Sequence, residues 1–275
     1  MRVVGQEKLV KTFNEFTLET LPKTIMLIGE EGCGKSLLLH NLAERLELDI
    51  FDIKNYKEED GSKIDLTELD LYPLPRLYVI HINNIEPRYQ GRFLKFIEEQ
   101  NPNKYIALVA NSTLNIKEAI INRAVKYYFE PYSPELLKKH FGWLVASPTD
   151  IVFNICTTPG QLTGINGDDI QKLYDFCYKM VTKAKIAPYA NMMTIVHKIN
   201  YKEEYNKFDF NLFFNALIYA AYKDYLETNN IDSFKIYQLT TQYKQQLFRT
   251  TINKENFVVN FLDSLWRLTH ETARP

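Results

Sequence analysis

Three cysteines in 275 residues, Cys33, Cys156 and Cys177, are too few and too scattered for a disulfide framework or a Cys-x-x-Cys zinc site. Their scarcity fits a reducing compartment. No apolar run approaches the ~20 residues needed to span a bilayer, and the opening Met1-Arg2-Val3-Val4-Gly5-Gln6 carries no apolar signal core, so the expectation is a cytoplasmic protein with no membrane partner. Charge of one sign is also missing: 33 basic and 34 acidic residues give a net charge of −1. A chain so balanced has no overall field to hold nucleic acid or an anionic membrane, and any DNA contact must be local or shared with partners. Low-complexity stretches and convincing internal repeats are absent too.

What is present begins with mass for a core. At 275 residues and 45% hydrophobic, the chain can bury a full interior and length alone points to about two domains. Its centre of organisation is Gly29-Glu30-Glu31-Gly32-Cys33-Gly34-Lys35-Ser36, which satisfies the phosphate-loop pattern G-x-x-x-x-G-K-S/T at every specified position. Glycines let successive backbone N–H groups approach phosphate oxygens where a Cβ would intrude. The context agrees. Thr24-Ile25-Met26-Leu27-Ile28 before the loop reads as a buried parallel strand, and Leu38, Leu39, Leu42, Ala43 and Leu46 after it recur at helical spacing. The loop therefore feeds a helix N-terminus whose dipole favours anions. Gly29, Gly32, Cys33, Gly34, Lys35, Ser36 and Leu37 are the expected nucleotide contacts, with Lys35 at the β and γ phosphates and the Ser36 hydroxyl on Mg²⁺.

Taken in order, the rest of the first half alternates strand and helix. Leu9, Val10, Phe13 and Phe16 make a helical stripe. Strands are expected at Asp49–Ile53, Leu77–Ile82, Tyr105–Ala110 and Val125–Phe129, with a charged loop from Lys54 to Gly61 and helices at Tyr89–Glu99 and Ile116–Arg123. Such alternation, opened by a phosphate loop, builds an α/β fold with a parallel sheet covered on both faces. At Pro131-Tyr132-Ser133-Pro134 the pattern becomes helical only. Ser133 and Ser147-Pro148 punctuate two helix starts, and a third helix begins near Asp168. From about Pro188, aromatic-rich helices are expected at Asp209–Leu226, Ile231–Phe248 and Lys254–Leu268. The expected division is 1–131 for nucleotide binding, 132–187 as a three-helix lid and 188–275 as a helical oligomerisation domain.

Val4-Gly5-Gln6-Glu7, the phosphate loop, Arg92-Phe93-Leu94-Lys95-Phe96-Ile97-Glu98-Glu99 and Ile121-Asn122-Arg123-Ala124, in this order, resemble the clamp-loader branch of the AAA+ ATPases. The octapeptide looks like that family's LLKxLEE helix, and Arg123 sits where the family carries a Ser-Arg-Cys motif. The likeness covers about the first 180 residues by motif and the remainder only by helical character. It implies ATP or ADP with Mg²⁺ as ligands, other clamp-loader subunits of a DNA polymerase III-type complex as partners, and a sliding clamp and primer-template DNA reached through that complex. It also implies that Arg123 acts in trans on a neighbour's ATP, and that Asn111 is the polar sensor of the γ-phosphate.

The departures bear on catalysis. An active site of this family needs a carboxylate pair at the end of the third strand. Here the sequence reads His81-Ile82-Asn83-Asn84; asparagine does not titrate, isoleucine is inert, and the nearest acid, Glu86, lies past the strand end. The lid position that carries an arginine in the family is Gln161. The pocket reads as intact for binding and stripped for hydrolysis, with two alternatives open: a working ATPase that uses Glu86, and an AAA+-like interaction module outside replication. Plainer readings stand beside each residue as well: Asn111 as a strand-ending turn, Arg123 as a helix C-terminal cation, His81 as a packed or hydrogen-bonded side chain, Cys33 as a small filler.

Overall fold

The computed structural model describes residues 3–54, 56, 66–99, 101–183, 210–247 and 254–270. By its internal contacts the chain divides into two units. The first comprises residues up to 136 together with 158–161; the second holds the remaining helices.

The first unit is built on five parallel strands, β1 (Thr24–Ile28), β2 (Asp49–Ile53), β3 (Arg76–His81), β4 (Lys104–Ala110) and β5 (Val125–Tyr128), in the spatial order β2-β3-β4-β1-β5. Its helices are α1 (Glu7–Glu15), α2 (Lys35–Arg45), α3 (Leu66–Asp70), α4 (Gln90–Glu98) and α5 (Glu118–Ile121). The two central strands, β1 and β4, are buried along their whole length. That is why they read as unbroken apolar runs without alternation. Met26, Ile28, Tyr78, Ile80, Ile106, Leu108 and Ala110 cover one face of the sheet and pack with Phe93 and Phe96 of α4 and Ile120 of α5. Strand periodicity places Ile25, Leu27, Leu77, Val79, Ala107 and Val109 on the other face, where α2 packs through Leu38, Leu39 and Leu42. The α/β class and the parallel sheet are therefore as the sequence implies.

The order of strands positions the site. From β1 the chain runs through α2 toward β2, whereas from β4 it runs through α5 to β5 on the other side, so two neighbouring strands send their connections in opposite directions. A crevice opens between them at the carboxyl ends of the strands, where α/β sheets bind ligands.

Several boundaries differ from the sequence expectation. Ile82 does not extend β3 but opens a 3₁₀ turn, Ile82–Asn84, closed by a bond from Ile85 N–H to the Ile82 carbonyl (3.2 Å). The helix expected from Ile116 to Arg123 shortens to α5, because Arg123 N–H bonds back three residues to Ile120 (3.1 Å) and tightens the last turn. Beyond Lys54 and Tyr56, the charged loop to Gly61 lies outside the described residues, as does the start of the C-terminal module at Pro188.

The next helices are α6 (Pro134–Phe141), whose Leu136 N–H bonds to Ser133 Oγ (3.2 Å), α7 (Asp150–Ile155), α8 (Pro159–Leu162) and α9 (Gly167–Lys183). Ser147 does not cap α7. It sits at φ +53°, and the helix starts after Thr149 instead. In the second unit α9 packs on α7 and on α10 (Phe210–Thr228), and α10 packs on α11 (Ile231–Gln246), which meets α12 (Lys254–His270). Phe214, Phe257 and Phe261 interlock at ring separations of 5.0–5.9 Å, a buried aromatic centre. Buried Asp224 accepts from Ser233 Oγ (2.5 Å), which satisfies a carboxylate that would otherwise be costly inside. Among the described residues no helix is long and apolar enough to cross a membrane.

Candidate nucleotide-binding site

The loop after β1 needs its glycines for two separate reasons. Gly34 takes φ +103° and Gly32 φ +79°, backbone that L side chains rarely adopt. A Cβ on Gly29 would lie 2.7 Å from the Phe129 Cβ, and one on Gly32 would lie 2.7 Å from the Gly160 Cα. The loop is thus enclosed by its own unit. Tyr132 donates its hydroxyl hydrogen to the Cys33 carbonyl (3.0 Å), and burial pushes that phenol up to about 12. Thr158 Oγ1 donates to the Glu31 carbonyl (2.8 Å) and Gly160 N–H to the Gly32 carbonyl (3.0 Å). Gln6 secures the exit of β5, giving its side-chain N–H to the Glu130 carbonyl (2.8 Å) and accepting from Glu130 N–H (3.0 Å).

With its outer carbonyls held in this way, the loop turns toward a cleft of about 340 Å³ lined by Glu31, Gly32, Gly34, Lys35, Ser36, Leu37, His81, Asn83, Asn84, Val109 and Asn111. Among the described residues no side chain caps α2, whose N-cap is Gly34, so the first amides of the helix are open at the cleft. Lys35 is only 6% exposed, and its ammonium reaches the Gly29 carbonyl, the Glu30 carbonyl (2.8 Å) and Asn111 Oδ1 (3.2 Å). Burial pushes Lys35 below the ordinary lysine value, with Cys33, Glu31 and Glu30 acting in the opposite direction. A desolvated cation beside open amides is a cradle for an anion, and phosphate relieves both. Ser36 is exposed at the same rim, with its hydroxyl available to a nucleotide-bound metal.

The structure thus brings Gly32, Gly34, Lys35, Ser36, Leu37 and Asn111 together around one cleft. Gly29 underlies it, giving its carbonyl to Lys35, and Cys33 is buried beneath it with Sγ 3.8 Å from Lys35 Nζ. Burial pushes the Cys33 thiol up, against the pull of Lys35.

Glu86 and Gln161 stand outside this set. The carboxylate of Glu86 accepts from Arg88 Nε (2.8 Å), and Gln161 lies in α8, after the Gly160 contact. Arg123 is at the far end of the sheet. It borders a second cavity with Lys23, Thr24, Glu98, Lys104 and Val125, at the amino ends of β1, β4 and β5, and ion-pairs with Glu98 while donating to the Ala119 carbonyl (2.8 Å). One strand length, roughly 17 Å, separates that rim from the phosphate loop.

No protein-family model and no curated protein matches the chain. Among solved structures, two variant forms of RuvB from Thermotoga maritima are similar to it. The first has a TM-score of 0.48 at 15% identity, over 66% of this chain and 76% of that one. The second has a TM-score of 0.45 at 15% identity, over 65% of this chain and 64% of that one.

Sequence reasoning missed several residues that shape the site. Asn83 registered only as a non-acid, yet it clamps the end of β4. Asp52, which holds His81 (Nε2 to Oδ1, 3.1 Å), carried no signal at all. Thr158 and Gly160 precede Gln161 in the sequence, but nothing local shows that this segment rests on the phosphate loop.

Proposed function

We propose that the chain is a nucleotide-binding AAA+ subunit of the clamp-loader branch, similar in role to the delta-prime subunit of DNA polymerase III. In this reading it holds ATP or ADP at the phosphate loop, with Ser36 on a divalent cation, and turns nucleotide over slowly or not at all.

One observation carries the reading: the cradle is complete while the hydrolytic side is not. Lys35, the open amides of α2 and Asn111 converge on the cleft, but among the described residues the only carboxylate lining it is Glu31, exposed on the crest of the loop. β3 ends in a histidine, and the following isoleucine is buried away from water. Phosphoryl transfer to water needs a group that orients and deprotonates the nucleophile, and Glu86 is turned to Arg88. The place of Arg123 fits an assembly part, since a guanidinium on the opposite rim of the sheet can serve only another molecule's phosphates. Partner subunits, a sliding clamp and primer-template DNA belong to the same proposal, as does a cytoplasmic location.

The test is a calorimetric titration with ADP and ATP alongside a turnover assay. Wild type should bind, Lys35→Ala should lose binding by at least about tenfold, consistent with removal of a charge-assisted contact, and release of phosphate should stay near background. Equal affinity in both proteins overturns the site. Robust turnover that disappears in Lys35→Ala overturns the binding-only reading.

A further inference from the structure

At the amino ends of the strands, on the rim opposite the phosphate loop, lies a cavity of about 770 Å³ whose described lining includes three cations, Lys23, Lys104 and Arg123, and two carboxylates, Glu98 and Glu99. Parallel pairing gathers them. β1 lies between β4 and β5, with Ile25 opposite Val125, so Lys23 and Arg123 each stand two residues before a paired position and the chain enters both strands side by side. Both carboxylates are engaged: Glu98 pairs with Arg123, and Glu99 with Lys95 of α4 (3.6 Å). Lys104, only 4% exposed, gives its ammonium to the Phe96 carbonyl (2.8 Å) and sets a positive charge inside the wall.

Lys23 is held differently. Its ammonium donates to the Pro102 carbonyl and lies 3.9 Å from the centre of the Tyr105 ring, and its own carbonyl accepts from Ile106 N–H (2.8 Å). Among the described residues no carboxylate pairs with it, so neutral groups hold an exposed cation at the cavity. Such a wall suits an anion of more than one charge. A carboxylate would bring Arg123 no more charge than Glu98 already does. A phosphate monoester carries about two charges and three acceptor oxygens, enough to take the guanidinium in two parallel bonds and to meet Lys23 as well. Glu98 yields readily, because an ion pair this exposed contributes little. Ile97, Ile106 and Val125 add apolar wall, and the volume lies in the range that holds a whole small molecule.

We propose that this rim is a second anion site, in which Lys23 and Arg123 receive the phosphoryl end of a phosphorylated small molecule. Two sources share that chemistry: a free phosphate ester or diphosphate, and the nucleotide held by a neighbouring subunit. Only the second rests on the function proposed above. Pyrophosphate is titrated calorimetrically into the chain carrying Lys35→Ala, which removes the ammonium of the phosphate loop, alone and with Lys23→Gln, Lys23→Arg or Arg123→Ala added. In parallel, phosphate release is measured in complexes purified through a tag on this chain, as wild type, Lys23→Gln or Lys23→Arg. A free ligand predicts that the Lys35→Ala chain binds pyrophosphate, at least about tenfold more weakly once Lys23→Gln or Arg123→Ala is added, with recovery in Lys23→Arg and weakening by added KCl. A neighbour's nucleotide predicts no such binding, but a fall of at least about tenfold in turnover by the complex with Lys23→Gln, again recovered in Lys23→Arg. Absence of pyrophosphate binding together with unchanged turnover overturns the proposal. Binding untouched by Lys23→Gln and Arg123→Ala also overturns it, as does a Lys23→Gln effect that Lys23→Arg fails to rescue, since Lys23 would then only prop the Pro102 carbonyl. Glutarate bound as tightly as pyrophosphate overturns the phosphoryl assignment. Failure of ADP to bind wild type at the phosphate loop, with pyrophosphate still bound to the Lys35→Ala chain, overturns the function proposed above and supports the free-ligand form of this one.

Discussion

Asn83 holds Asn111 in place. Its Oδ1 accepts from Asn111 N–H (2.7 Å) and, more weakly, from Ser112 N–H (3.4 Å), while its Nδ2 donates to the Ser112 carbonyl (2.9 Å). One amide thus satisfies the backbone where β4 ends and fixes the residue that touches Lys35. Asn83→Ala leaves these half-buried groups without the partner, at a cost of about 1–3 kcal/mol. A lower denaturant midpoint and weaker nucleotide binding should appear together, and Asn83→Asp, which keeps the acceptor, should fall between. An unchanged denaturation curve with unchanged affinity would show that the clamp is dispensable.

The cleft was legible in the sequence wherever its chemistry is contiguous. The phosphate loop occupies eight successive positions, and its strand and helix follow the apolar pattern that burial imposes, so β1, β2 and the start of α2 fall close to where periodicity puts them. Contacts between distant stretches were not legible. Asp52 meets His81 only because β2 and β3 pair in one register, and a shift of one residue would send Asp52 to the opposite face. Glu98 meets Arg123 only because α4 and α5 lie side by side on the sheet. The fate of Ile82 was hidden for another reason: a β-branched residue extends a strand by propensity, and here a 3₁₀ turn that buries Ile82 overrides it.

Gly160 and Gly164 provide a second test, because their surroundings differ. A Cβ on Gly160 would stand 2.5 Å from the Gly32 Cα, a backbone atom that cannot swing aside, whereas a Cβ on Gly164 meets nothing within 4 Å. Gly164 takes φ +75°, so Gly164→Ala should cost about 1 kcal/mol through backbone conformation alone and leave nucleotide affinity as it was. Gly160→Ala should lower the melting temperature and also weaken ADP binding several-fold, because the added carbon pushes on the phosphate loop itself. Thermal melts with and without ADP measure both effects. Equal ADP-dependent shifts in the two variants would mean that the 158–160 segment does not support the loop.

Arg123 and Glu98 decide whether the far rim of the sheet has a use. Both side chains are partly exposed, 42% for Arg123 and 45% for Glu98, and ion pairs of this kind contribute about 0–1 kcal/mol. Such a pair organises the guanidinium without committing it, and a phosphate with its greater negative charge can take it over. In the isolated chain, Arg123→Ala and Glu98→Gln should therefore each change unfolding free energy by less than about 1 kcal/mol. In a complex purified through a tag on this chain, the two should part company. Arg123→Ala should lower nucleotide turnover by the partner subunits at least tenfold, since arginine fingers are worth about 10³ to 10⁵ in rate. Glu98→Gln frees the guanidinium and should leave turnover equal or raise it. If turnover by the complex is unaffected by Arg123→Ala, with the variant shown to be incorporated, the ion pair is purely structural and the rim contributes nothing to a neighbour. A fall in both variants would instead mean that Glu98 is needed to aim Arg123, because only a positioning role makes loss of the carboxylate as damaging as loss of the guanidinium.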